Sequence, residues 1–130
     1  MRSLINMFYT IKLLNSSSLK KINKLFDQGD FSSGLFSGTE HVPDVKNNNE
    51  MINDNCYNEC SNLVATAIEK SSDFQEITIL RKCSNFIFSE YDEGKFYKEH
   101  YDDCIMSPNC RTDYSVTLFL SDKDSYDGGE

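Results

Sequence analysis

Residues 114–120 read YSVTLFL, a short run dominated by branched and aromatic side chains. Such a run fits a pleated, half-buried surface and predicts a β-strand. Two upstream runs have the same character, ITIL at 77–80 and NFIFSEY at 85–91, and FYTIKLL at 8–14 suits another short strand. Helical signals come earlier in the chain. SSS at 16–18 followed by Leu19, Ile22, Leu25 and Phe26 suits an N-capped amphipathic helix that ends by Gly29. Ile52, Cys56, Cys60, Leu63, Val64, Ala67 and Ile68 recur at offsets of three and four, which predicts a longer helix with both cysteines in the core.

Between these helices, residues 30–50 are rich in Gly, Ser and Asn and contain Pro43, so they read as loop with one short strand, the NNN at 47–49 included. SSD at 71–73 marks the change to strand-like patterning, and DGG at 127–129 reads as a hairpin turn. Helices first and strands after predict an α+β fold, or a β-sandwich with a helical layer on one face. At 130 residues the chain fits a single domain, with a helical and loop region over about 1–75 and strands over about 76–130. On this reading the strand at 114–120 has no returning partner before Glu130, which leaves an apolar edge and favours aggregation or strand exchange.

Composition narrows the function. No apolar run approaches the roughly 20 residues of a membrane span. The net charge is −8, and residues 89–130 hold eleven acidic and four basic side chains. Nucleic-acid binding is led by Lys and Arg against phosphates, so no nucleic-acid partner is expected there. Five cysteines in a chain with no secretion signal predict reduced thiols and a cytoplasmic protein.

One of the two histidines stands in YKEHYDD, residues 97–103. In extended backbone successive side chains alternate faces, so His100 and Asp102 would point the same way and Tyr101 the other. An imidazole and a carboxylate then converge on one point. That is two metal ligands, and a useful site needs at least a third.

From Tyr91 to Glu130 the chain reads YDEGKFYKEHYDD, then RTDYSVTLFLSDKDSYDGGE. This succession resembles the PKHD-type hydroxylases, relatives of the prolyl 4-hydroxylases among the iron(II)/2-oxoglutarate oxygenases. In that family a tyrosine and glycine precede H-x-D, and R-[ST]-D, an apolar strand ending LFLSD, and YDGGE follow. VKNN at 45–48 and the helix at 52–70 also fit, so the resemblance covers roughly residues 7–130. H-x-D alone is a weak signal; joined to the other elements in order it is a specific one.

The resemblance implies a double-stranded β-helix, or jelly roll, here partial and buttressed by the N-terminal helices. It implies Fe(II) held by a His-x-Asp…His triad, with His100 and Asp102 as the first two ligands. 2-Oxoglutarate would be the cosubstrate, decarboxylated to succinate as oxygen enters a substrate C–H bond, and L-ascorbate the reductant. Tyr91 maps to a tyrosine lining the cosubstrate pocket, and its phenol could donate to a carboxylate. The family's second iron-binding histidine and its cosubstrate arginine lie beyond the GGE motif, so the 130 residues read as an N-terminal portion without turnover of its own. His41 and Arg111 have no matching family position for those roles. The substrate, a protein side chain or a small molecule, stays unnamed.

Blander readings stand beside these. His100 in an acidic run could be a solvated side chain, and the domain a non-catalytic acidic module for protein interaction or loose cation binding. Cys104 and Cys110 near His100 could hold zinc, but C-x5-C departs from the usual short loops. Asp122, Asp124, Asp127 and Glu130 lack the offsets of a calcium loop. Phe96 and Tyr97 could line a pocket, though aromatics entering a strand are usually packing.

Overall fold

The computed structural model describes residues 8–37, 44–106 and 110–128. Helix α1 spans Ser16–Gln28, and the Asn15 side chain caps it by accepting a hydrogen bond from the Ser18 amide at 2.8 Å. The bond satisfies one of the amides that a helix start leaves without an intrahelical acceptor. Helix α2 spans Asn55–Lys70, capped by Asp54, whose carboxylate accepts from the Tyr57 amide at 3.0 Å. This cap starts the helix three residues later than the apolar spacing implies and leaves Ile52 outside it, exposed.

The two helices pack through their apolar stripes. Ile22 and Cys60 are completely buried at 0% exposure, with Leu25, Val64 and Ile68 around them. Burying one such aliphatic side chain contributes about 1.5–3 kcal/mol, so this seam dominates the helical half. Cys56 sits at its edge, partly buried. Phe88 closes the other side: the rings of Phe26, Tyr57 and Phe86 surround it at centroid distances of 6.0, 5.5 and 6.2 Å. The edge-on meetings with Phe26 and Tyr57 add to the area that the rings bury.

Strands are short. β1 (Phe31–Ser33), β3 (Asn49–Met51) and β4 (Ser89–Glu90) form an antiparallel sheet in the order β1-β3-β4, with Phe31 opposite Met51 and Glu50 opposite Ser89. β2 (Lys46–Asn47) pairs with β5 (Phe96–Tyr97), and β6 (Ile105–Met106) pairs with β7 (Cys110–Arg111). Three helices with small antiparallel sheets make the described residues an α+β arrangement.

Several expectations are corrected. ITIL begins inside a helix: α3 spans Ser72–Thr78, and Ser71 caps it by accepting from the Phe74 amide at 3.2 Å. The Ser-Ser-Asp run is therefore a helix start, and its cap together with buried Phe74 outweighs the β-propensity of four residues. α3 ends at Ile79, which takes the left-handed conformation with φ 47°. FYTIKLL is irregular, with Ile11, Leu13 and Leu14 packed on the core. NFIFSEY joins a ladder only at Ser89 and Glu90, although Phe86 and Phe88 turn inward and Ile87 outward.

YSVTLFL has no ladder partner among the described residues. It lies against the helices instead. Leu118 and Leu120 touch the core, the Tyr114 hydroxyl donates to the Ile77 carbonyl at 2.9 Å, and Asn23 Nδ2 donates to the Leu120 carbonyl at 3.4 Å. The NNN run is not loop either: Asn47 and Asn49 belong to β2 and β3, and Asn48 between them is 1% exposed. The DGG turn lies partly, and His41 wholly, outside the described residues.

Candidate functional site

The site grows from the β2–β5 ladder. Tyr97 lies directly opposite Lys46, and the ladder is extended by the Lys98 amide donating to the Val45 carbonyl at 2.7 Å. Past Lys98 the chain bends at Glu99 and His100 turns back on it. His100 Nδ1 is 2.7 Å from the Lys98 carbonyl oxygen, and Nε2 is 3.1 Å from Asp102 Oδ1. Tyr101 points away and is fully exposed. The alternation read from H-x-D is thus present, with the two side chains in contact.

The carbonyl of Lys98 can only accept, so the short contact puts a proton on Nδ1. Nε2 of the neutral ring then offers a lone pair toward the carboxylate. Two acceptors facing each other need something positive between them, either a second ring proton or a cation. Adjacent ligands around a cation with bonds of about 2.1 Å at right angles stand about 3 Å apart, the spacing found here. A carbonyl that fixes the tautomer of a histidine from behind is also the usual support of a metal-binding imidazole.

Behind the pair stands a polar face of alternate strand residues. Lys46 is 6% exposed and ion-paired with Glu50, and its Nζ lies over the Tyr97 ring, 5.3 Å from the centroid. Tyr97 in turn stacks on His100, with centroids 3.9 Å apart and planes 6° from parallel. Burial raises the Tyr97 phenol above its ordinary pKa, and the Asp102 carboxylate raises it further. Asn48 Nδ2 donates to the Tyr91 hydroxyl oxygen at 3.3 Å. Burial raises the Tyr91 phenol too, with the hydrogen bonds from Asn48 and Ser89 acting the other way. Lys95 Nζ donates to Asn49 Oδ1 at 2.8 Å and ties the approach to β5 back to β3.

His100 and Asp102 therefore come together as expected, and Tyr91 is anchored to the same face through Asn48. No third metal-binding side chain joins them: among the described residues no group of three or more His, Cys, Asp or Glu side chains could hold a metal ion. This leaves Cys104 with Cys110, and the acidic turn at 122–127, without such a cluster. Lys46 and Asn48 escaped sequence reading because hydropathy puts Lys and Asn outside, and only their even spacing hinted at one strand face. A groove lies elsewhere, between α1 and α2, lined by Lys12, Lys21, Glu59 and Lys70. It shares no residue with the His100 site.

Comparison with known proteins decides the lineage. A PKHD-type hydroxylase of Thioalkalivibrio sulfidiphilus is 34% identical over 123 residues, which covers 92% of this chain and 55% of the relative. The chain is a relative of the PKHD-type hydroxylases. Others of that name are 31% identical over 126 residues in Gloeothece citriformis and 28% over 122 residues in Thermosynechococcus vestitus. The chain spans about half the length of these curated PKHD-type relatives, 57% and 54% in the last two cases. No family model and no solved structure matches it. No helix among the described residues is long and apolar enough to cross a membrane.

Proposed function

We propose that the whole protein is an Fe(II)- and 2-oxoglutarate-dependent hydroxylase on a jelly-roll scaffold, with His100 and Asp102 as two of the three protein ligands. The observation that carries the reading is the 3.1 Å approach of Nε2 to Oδ1 with Nδ1 held by the Lys98 carbonyl. The names of the relatives support hydroxylation. The donor set fits a facial triad, one imidazole nitrogen and one carboxylate oxygen with a second histidine to follow. By resemblance that second histidine, and the arginine for the cosubstrate, come after the GGE motif.

Iron, 2-oxoglutarate and dioxygen together supply oxidative decarboxylation coupled to insertion of oxygen into a substrate C–H bond. The chain's own residues bind and orient. The Lys98 carbonyl keeps Nδ1 protonated so that the Nε2 lone pair faces the ligand position. Asp102 adds negative charge on the same point. Tyr91 receives a hydrogen bond from Asn48, which leaves its phenolic proton to be donated to a cosubstrate carboxylate. L-Ascorbate fits as the reductant that restores iron(II), and the substrate is a protein side chain or a small molecule.

Anaerobic titration of the full-length protein with Fe(II) and 2-oxoglutarate tests this. A weak visible charge-transfer band that His100→Ala abolishes is expected, and its absence sinks the reading. One observation favours a second reading, an acidic interaction or loose cation-binding module: the ligand pair is open to solvent and has no third partner among the described residues. A band would exclude it.

A further inference from the structure

We propose that Tyr97 is a positioning residue for His100, and that Lys46 and Glu50 hold Tyr97 in that role. The inference rests on the reading above for the part His100 plays. It begins with register. Lys46 and Tyr97 are cross-strand partners in the β2–β5 ladder, so their side chains leave the ladder on one face. Lys46 cannot wander, because it is buried and ion-paired with Glu50, and separating a buried pair leaves an uncompensated charge. Its ammonium 5.3 Å from the Tyr97 centroid attracts the ring face.

The other half of the device is the stack. An imidazole on a bend at the surface has two side-chain torsions to settle, and a single hydrogen bond at Nδ1 fixes only one rotation. The phenol ring 3.9 Å away and 6° from parallel removes the remaining freedom. Nε2 is then kept beside Asp102 Oδ1 instead of turning into water. The charge pair, the phenol, the imidazole and the carboxylate form one contiguous line from buried strand to exposed ligand. What the line needs from Tyr97 is its ring face, so phenylalanine serves and an aliphatic residue does not.

The experiment reads the histidine ring by proton NMR in the 130-residue chain, with His41→Ala assigning the two histidines, and then adds Mn2+ alone. In wild type and Tyr97→Phe the His100 ring protons should lie upfield of an unstacked histidine, shifted by the ring beneath them. In Tyr97→Leu they should return to the unstacked position, and Mn2+ should need about a tenfold higher concentration to broaden them, the low end for loss of a ligand's support. Should Tyr97→Leu not fold, the double variant Lys46→Met/Glu50→Leu, which removes the charge pair as a unit, asks the same question. His100 signals unmoved in a folded Tyr97→Leu or in the double variant overturn the proposal. Mn2+ without effect on wild type counts against the metal pair, while the ring shifts still decide the stack.

Discussion

Gly34 sits against Asn48 so closely that a β-carbon on it would meet Asn48 Oδ1 at 2.0 Å, and the Gly34 amide donates to the Asn48 carbonyl at 2.9 Å. The absence of a side chain at 34 is thus what lets the buried asparagine that supports Tyr91 into the fold. Gly34→Ala should destabilise the chain by about 1–3 kcal/mol, the usual cost of overfilling a packed site. Urea unfolding checks it, and a midpoint equal to wild type would show that Asn48 yields freely.

Ser71 and Ile79 bound α3, and opposite effects are expected at its two ends. Ser71→Ala removes the cap on the Phe74 amide and should cost about 1 kcal/mol. Ile79 is exposed and holds a left-handed backbone that costs an L-residue about 1–2 kcal/mol, more than the 0.5–1 kcal/mol entropy penalty of glycine. Ile79→Gly should therefore raise the urea midpoint slightly. A clear fall would mean that the residue packs in solution.

Cys60 makes stability depend on alkaline pH. Burial, then the neighbouring Cys56 and Glu59, push its thiol from 9.0 up to about 11. Between those values the unfolded chain has released the proton and the folded chain keeps it, so folding weakens as pH rises through that window and is unaffected below it. Urea midpoints at pH 8 and pH 10.5 should fall further for wild type than for Cys60→Ala. Iodoacetamide at pH 8 should label exposed Cys104 well before Cys60.

His100→Ala and Asp102→Ala should separate binding from stability. Both side chains are substantially exposed, so neither change should move the urea midpoint by more than about 0.5 kcal/mol. Each should weaken Mn2+ binding by more than about tenfold, which even loss of an outer partner can cost. Unchanged affinity in both would mark the pair as a solvated turn.

The helices were legible because their signals are local: a stripe at offsets of three and four, with polar residues just before it. Even there the caps differ in place: Asn15 stands one step before the serine run, and Asp54 falls inside the stripe that begins at Ile52. The strands were poorly legible for a physical reason. β-propensity reports a half-buried pleated surface, and Phe86, Phe88, Leu118 and Leu120 do face the core, but a ladder needs a partner that the run itself cannot specify. His100 and Asp102 could be paired from sequence because two-residue alternation suffices. Lys46, Asn48 and the Tyr97 stack could not, since they depend on which strands meet.

The ladder that carries His100 has only two residue pairs, while the seam of Ile22, Cys60 and Phe88 lies elsewhere. Local opening of that ladder therefore costs less than unfolding the core. Amide exchange should show two tiers, a fast one at Lys98, whose bond to Val45 closes the ladder, and a slow one in α2. A cation held by His100 and Asp102 would act on the first tier alone, slowing it by a factor of about 1 + [L]/Kd. Ligand occupancy would then be written in the lifetime of one short ladder, with the helical half keeping its own clock.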